Sequence, residues 1–439
     1  MGTICEKSGS SWVVNMEKML EHASPSVEMA RWMQQSIYRV PEFIKKLTNE
    51  DAYQPQFVSL GPLHHGETHL QPMEEHKRRA VLHMVKRSGK PVQEFIAAIS
   101  AVAGEIQGTY GELDDKWRGG NTDRFVEMMV TDGSFLLELI RKDEILTKRE
   151  IDDDYAPNDP IFSERGFFVW LSQIQNDIIA MENQLPLVVL QKLLAVQRGT
   201  SPSDEDINGM VLRLLDRPFE EGMDSQLGLH FLDLYHRSYC GVRPRCEASF
   251  DDNDYEPCTH CAAELSEAGI KFKKINTDNI HGIDFENGVL SMPQLQFYDD
   301  TEIIYLNLMA FEWLHPDAED NVVSYISFMD DVIESEKDVA LLRTHGLFEN
   351  MVGSDKKVVE IFNILTKLAR PQDTGSRLGH LNKKMNAHCK KRRNKWRAIF
   401  VNTYLSNPWV FISLMAAIIL LVATLLQTVY TIVPFYTRG

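Results

Sequence analysis

A chain of 439 residues, 44% hydrophobic, 25% charged and 9% aromatic, is long enough to bury a sizeable core and is not a low-complexity or disordered polymer. Its net charge of −17 is uneven: from Thr374 onward there are ten Lys or Arg and no acid, so residues 1–373 carry −27. An acidic body argues against nucleic acid as a partner, and six scattered cysteines exclude the disulfide framework of a small secreted protein.

The first 36 residues read as a short helix or a mobile lead. "SIYRVPEFIKKL" and "YQPQFVSLGP" read as extended pieces, because Pro41, Pro55 and Pro62 disfavour helix in the residue before each. "VSLGPLHHGETHL" then packs His64, His65 and His69 into six positions around Glu67, with His76 and His83 beyond. Zinc would need three or four converging ligands, and His65 and His69 share a face only on a helix. Gly61, Pro62 and Gly66 oppose that helix, so a hydrogen-bonded turn is the simpler reading and a metal or catalytic cluster the alternative.

Helical periodicity follows over Met73 to Arg87, 91–107, 122–142, 166–182 and 186–198, separated by the polar loops "GELDDKWRGGNTD", "KREIDDDYAPNDP" and "QRGTSPSDEDING". "DEDING" matches the opening of a calcium loop through Asp204, Asp206, Asn208 and Gly209. The twelfth position is Leu215 instead of a bidentate Glu, and helix N-terminal acids explain the stretch more simply. Next comes Cys240-x5-Cys246-x11-Cys258-x2-Cys261. The closing C-x-x-C suits zinc, but the first spacing is too long, so these four are candidate ligands against a background of free thiols. "GIDFENGVLSM" sets Asn287-Gly288 between apolar alternations, a type I′ hairpin, and "GIKFKKI" can pair beside it. Helical patterns resume at 300–314, 321–335 and 355–369.

A basic neck with Lys390, Lys391, Arg392, Arg393, Lys395 and Arg397 precedes 24 uncharged residues, Trp409 to Ile432. As a helix these span roughly 36 Å, enough to cross a hydrocarbon core of about 30 Å. Trp409 at one end and Tyr430 at the other are expected interfacial anchors, and the neck an expected contact for anionic lipid. No apolar leader opens the chain and no Asn begins an N-x-[ST] sequon. With nine of the ten basic residues before the span, the expectation is a single-pass, tail-anchored protein with a cytosolic body, at the plasma membrane.

The predicted organisation is a lead (1–36), a helical domain (37–371), a basic juxtamembrane neck (372–407), a transmembrane helix (408–433) and a short tail (434–439). The fold class is a mainly α-helical single globular domain with a small β-hairpin or sheet, plus one C-terminal transmembrane helix. No G-x-G-x-x-G, G-x-x-x-x-G-K-[ST] or G-x-S-x-G is present, so no catalytic residue and no cofactor are assigned.

Several blocks in order resemble one known family. "IYRVPEFI", "YQPQFVSLGPLHHG", "MEEHKR", "VTDGSFLLELI", "MENQLPLVVL", "AAELSEAGIKFK", "IDFENGVLSMP", "YLNLMAFE", "SYISFMDDVIES" and the final apolar run are similar to blocks of the plant domain-of-unknown-function 247 family, over about residues 37–432. Ser134 departs from it, standing where that family's "DGCF" block has cysteine. The resemblance carries over no catalytic residue. It implies a plant membrane protein, and in the grasses such proteins are pollen-side determinants of self-incompatibility, thought to act with small secreted stigma proteins. The expected function is therefore a membrane-anchored, non-enzymatic recognition or signalling protein with membrane lipid and an unidentified protein as partners. A membrane-tethered hydrolase or metalloenzyme, and a scaffold for cytosolic partners, are the alternatives.

Overall fold

The computed structural model describes residues 24–119, 122–150, 154–219, 224–241, 260–277, 279–369, 377–391 and 408–436, with Trp12, Val13, Met16, Leu20, Arg397 and Phe400 besides. Among these the main helices are, in chain order, α1 (Pro25–Gln34), α2 (Glu42–Leu47), α3 (Gln71–Ser88), α4 (Val92–Ser100), α5 (Ala103–Thr109), α6 (Thr122–Lys148), α7 (Glu164–Ile179), α8 (Leu187–Arg198), α9 (Asp204–Leu214), α10 (Phe231–Cys240), α11 (Ala262–Glu267), α12 (Thr301–Leu314), α13 (Asn321–Val332), α14 (Glu336–Thr344), α15 (Asp355–Leu365), α16 (Arg377–Lys390) and α17 (Pro408–Tyr436). The strands are β1 (Lys271–Ile275), β2 (Asp284–Glu286), β3 (Val289–Pro293), β4 (Leu295–Phe297) and β5 (Phe348–Asn350). The fold is mainly helical with little sheet, as expected. The chain divides into two compact units, residues 1–244 with 300–323 and residues 245–299 with 324–439.

The axis of the first unit is α6. Its buried residues do not keep to one stripe: from Phe125 to Ile140 they fall on nearly every side, a pattern a helix takes only when neighbours surround it. Those neighbours are α3 and α8, with α4 against both α6 and α8. The charged residues that α6 bears in mid-helix, Asp132, Glu138 and Lys142, are therefore carried inside with it. Ser134 fits the same crowding, fully buried with its Oγ donating to the Val130 carbonyl at 2.6 Å. The predicted helix 91–107 is two helices, broken at residues 101–102. At α9, Ser203 Oγ accepts the Asp206 N–H and Asp206 accepts the Ser203 N–H, a reciprocal cap that makes the "DEDING" acids a helix start.

In the second unit the hairpin stands where the sequence placed it. Asn287 and Gly288 have φ of 52° and 79°, both left-handed as a type I′ turn demands. Phe285 faces Leu290 across β2 and β3, and β1 adds to the other edge of β3 in parallel, Phe272 beside Leu290. A second pair, β4 with β5, is also parallel. Helix α11 is tied to α14 by the Ala263 N–H, which donates to the Asp338 carboxylate at 2.9 Å. Helix α17 runs to Tyr436, past the predicted end at 433, and over Trp409–Val429 its mean hydropathy is 2.7 with none of it buried.

Candidate functional site

The histidine block follows directly on residues 54–61, a segment with neither helix nor strand partner. Buried amides there still need acceptors, and the end of α7 with the turn that follows it supplies most of them. The Asp177 carboxylate at the end of α7 accepts the N–H groups of Gln56, Phe57 and Val58 at 2.9, 2.7 and 2.6 Å. Asn183 accepts the Leu60 N–H at 2.6 Å and donates to the Val58 carbonyl at 3.0 Å. Gln184 donates to the Ile178 and Ala180 carbonyls and accepts the Leu232 N–H. Glu182 accepts the Val40 N–H at 2.7 Å and meets Lys45 Nζ at 2.8 Å and His64 Nε2 at 3.0 Å. "MENQ" is thus a single turn whose three polar side chains tie together four separate segments.

Two charge clusters extend this knot. Lys77, fully buried on α3, reaches Asp132 and Glu74 at 2.6 Å each and the Ser59 carbonyl at 2.8 Å, while Asp132 also accepts the Gly61 N–H at 2.8 Å. Burial opposes the ammonium charge, yet the Asp132 and Glu74 carboxylates outweigh it and hold Lys77 above the ordinary lysine value. Glu138 gathers Arg87, Arg141 and the Tyr155 hydroxyl, and Arg79 pairs with Asp159. The carboxylates respond in opposite senses. Burial pushes Asp177 up to about 6 despite its three amide donors. It works the same way on Glu182, but hydrogen bonds from His64 and Lys45, with the Lys45 charge, more than offset it and keep that carboxyl below its usual range.

Within this frame the imidazoles scatter. His64 has Glu67 at 2.7 Å on Nδ1 and Glu182 on Nε2, and His69 Nε2 reaches the Pro55 carbonyl at 3.3 Å. His76 accepts from Arg79 at 3.0 Å, and His83 stacks on Tyr155. The block is a structural turn. His65 alone turns elsewhere, edge-on to Trp117, and lines a cleft of about 400 Å³ with Glu74, Arg78, Arg124 and Glu127. Trp117 Nε1 and His65 Nδ1 are buried there without a hydrogen-bond partner, and neither Arg78 nor Arg124 has an acidic partner among the described residues. Two guanidiniums without an acidic partner among the described residues and two unsatisfied ring nitrogens can take an anionic group.

Of the cysteine quartet, Cys246 and Cys258 lie outside the described residues. Cys261 is half-buried before α11, where burial pushes its thiol up to about 11, and Cys240 is a buried free thiol at the end of α10. The group assembled around Cys240 was not visible as a cysteine pattern: its companions are His236, four residues back, and Glu312 on α12. The signal was an H-x-x-x-C spacing, the i, i+4 arrangement that places two side chains on one helix face. Burial disfavours a charge on His236, but Cys240 and Glu312 at its Nε2 outweigh this and hold the imidazole well above its ordinary value, while burial pushes the Cys240 thiol up.

Of the predicted membrane-surface residues, Lys390, Lys391 and Arg397 are exposed, and Arg392, Arg393 and Lys395 lie outside the described residues. Trp409 is exposed near the start of α17; Tyr430 lies in that helix, with its side chain outside the described set. Helix α17 is long and apolar enough to cross a membrane.

Residues 37–423 match the DUF247 family, plant proteins of unknown function. The chain is 30% identical over 431 residues to UPF0481 protein At3g47200 of Arabidopsis thaliana, covering 91% of this chain and 86% of that one. A second UPF0481 protein of the same plant, At3g02645, is 22% identical over 518 residues, covering 95% and 93%. No solved structure matches. With the family's pattern running through nearly the whole chain, from the segments gathered by the "MENQ" turn to the apolar helix, this protein belongs to the plant DUF247 family.

Proposed function

We propose that this protein is a non-enzymatic recognition or signalling protein, held at a membrane by α17, whose helical body meets a protein partner. The observation that carries this reading is the unburied apolar stretch Trp409–Val429, 21 residues with a mean hydropathy of 2.7. At 1.5 Å per residue it spans roughly 31 Å, the thickness of a hydrocarbon core, and left in water it would be an aggregation site. The exposed lysines at the end of α16 support a cytosolic body under the positive-inside bias. In its finer form, drawn from the resemblance to self-incompatibility proteins, the partner is a small secreted protein and the membrane is the plasma membrane.

Partner choice in that reading belongs to the polar loops 112–123, 151–165 and 247–260, but not to every residue in them. In 151–165, Tyr155, Asp159, Ile161 and Phe162 are buried, with Tyr155 and Asp159 tied to Glu138 and Arg79, so these residues are not free to vary. In 112–123 the exposed residues, among them Lys116 and Arg118, remain available, and 247–259 lies outside the described residues.

The test is protease protection of the full chain, tagged at both ends, in intact plant cells. A shielded N-terminal tag with a membrane-retained protein supports the cytosolic body. Digestion from outside overturns that orientation and makes a surface receptor the better reading. Release of the protein by alkaline carbonate would remove the membrane anchor altogether.

A further inference from the structure

We propose that His236, Cys240 and Glu312 form a binding site for a divalent transition cation of the zinc class. Three donors of different softness meet there, imidazole nitrogen, thiol sulfur and carboxylate oxygen, the mixture zinc accepts. Helix α10 presents His236 and Cys240 on one face, and α12, which packs against it, brings Glu312 to the same point. All three side chains are buried and their donor atoms lie within 4.8 Å of one another.

The arrangement separates a metal site from a catalytic relay. A Cys–His–carboxylate relay places the thiol and the carboxylate on opposite ring nitrogens. Here both approach the same atom: His236 Nε2 is 2.6 Å from Glu312 Oε1 and 3.5 Å from Cys240 Sγ. One nitrogen carries one proton and can donate to one of them. Without metal that proton goes to Glu312 and the sulfur is left with a long contact. A cation replacing the Nε2 and thiol protons engages all three donors at once. Around tetrahedral zinc, with bonds of about 2.0–2.3 Å, donors sit about 3.3–3.8 Å apart, nitrogen and oxygen at the short end, so the His–Glu pair needs to open by about 0.7 Å.

The surroundings favour a cation. Glu312 is oriented from behind by the first amides of α13: Oε1 accepts the Val322 N–H at 2.7 Å and Oε2 the Val323 N–H at 2.9 Å, the kind of support that holds a ligating carboxylate in place. His236 and Cys240 also line a cleft of about 410 Å³ whose acids are Asp224, Asp233, Asp317 and Glu319. The one arginine among its described lining residues, Arg237, is bound to Asp233 at 2.8 Å. A fourth ligand, water or an incoming donor, has room on that side.

The experiment uses the full chain in detergent micelles, stripped with a chelator and titrated with cobalt(II), then zinc. The expected result is a thiolate-to-cobalt charge-transfer band that saturates at one equivalent and is displaced by zinc. Cys240→Ser removes the band and weakens zinc by more than the about 10- to 100-fold that loss of a supporting hydrogen bond costs. This variant decides the matter because serine is nearly isosteric and the metal-free melting curve should match wild type; His236→Gln and Glu312→Gln disturb buried hydrogen bonds and serve only as companions. A Cys246→Ser/Cys258→Ser/Cys261→Ser variant keeps the band. A band that survives Cys240→Ser but vanishes in the triple variant overturns the proposal in favour of the C-x-x-C segment. A folded wild-type chain that gives no band overturns it outright.

Discussion

Lys77→Met is the sharpest test of the buried knot. Methionine fills most of the lysine volume, so the change removes a charge more than it opens a cavity. The ammonium, fully buried, makes contacts of 2.6 Å to Asp132, 2.6 Å to Glu74 and 2.8 Å to the Ser59 carbonyl. Without it Asp132 keeps only the Gly61 N–H as a hydrogen-bond partner among the described residues and remains buried at 1% exposure. Stranding one member of a buried ion pair costs about 3–5 kcal/mol. Asp132→Asn in the same chain removes the stranded charge and retains an acceptor for Gly61, so the double variant should regain at least about 2 kcal/mol, the coupling expected of residues in direct contact. Urea unfolding of the full chain in micelles gives the midpoints, and hydrogen exchange of the peptide covering residues 56–66 reports the local effect. A loss under about 1 kcal/mol for Lys77→Met, or a double variant no better than the single, would refute the claim that this charge pair organises the segment.

Other consequences follow from the same geometry. Glu182 is held below its usual range, so its stabilising contribution is complete above the unfolded value of about 4.3 and is lost as pH falls through the folded value. Asp177 runs the other way: raised to about 6, it stabilises most below the unfolded value of about 3.9 and loses that contribution as pH rises to 6. Subtracting the pH–stability curve of Glu182→Gln from that of wild type should therefore leave a limb that falls toward acid; a flat difference would contradict the assignment. Gly61→Ala should cost more than 2 kcal/mol, about 1–2 for a left-handed Cβ at φ 69° plus contacts at 2.7 Å to Tyr110 Oη and 2.9 Å to the Gln184 carbonyl, whereas Gly89→Ala, at φ 65° with open space, should cost only the backbone part. Equal urea midpoints would remove the steric argument. Trp117→Phe deletes an unpartnered buried N–H and should change stability by less than about 1 kcal/mol; a loss beyond about 2 would mean the indole has a partner. Ile419→Arg places a charge mid-span at about 2.5–3.5 kcal/mol and should shift the chain from the carbonate-resistant pellet to the supernatant.

Much of the fold was legible because it rests on local rules. The periodicity of 73–87 and 122–142 recovered α3 and the core of α6, and Asn287-Gly288 with its flanking alternation fixed the hairpin. The misses have a physical cause as well. "FLDLYHRSYC" was not seen as a helix: it is short, and its start is set by His230 accepting the Asp233 N–H, an N-cap outside the usual Ser, Thr, Asp and Asn signals. The division into units was hidden because residues 300–323 return to the first unit after 245–299 have left it, and no change in composition marks either point. The histidine block drew attention for its chemistry, although glycine and proline around it already argued for a turn. His236, Cys240 and Glu312 were beyond reach as a set, since 72 residues separate the thiol from the carboxylate and only packing of α10 against α12 unites them.

The knot also says where function is to be sought. Residues 54–61 have no ladder and no helix, so their amides depend on Asp177 and Asn183, with Asp132 taking the last of them. A polar network inside a low-dielectric core is stable only when every member is satisfied, and losing one partner costs the desolvation of the other. Side chains under that constraint cannot also adapt to a ligand without loosening the segment they hold. The groups outside the network are different. Trp117 Nε1, His65 Nδ1, Arg78 and Arg124 line one cleft, and His236 with Cys240 line another, both within the first unit. Substitutions at Arg78, Arg124 or Cys240 should change binding while leaving the urea midpoint nearly still, whereas substitutions in the "MENQ" turn should move the midpoint first and binding only as a consequence. A variant of Glu182 or Asn183 that lost partner binding at unchanged stability would break this separation and place the recognition surface inside the knot itself.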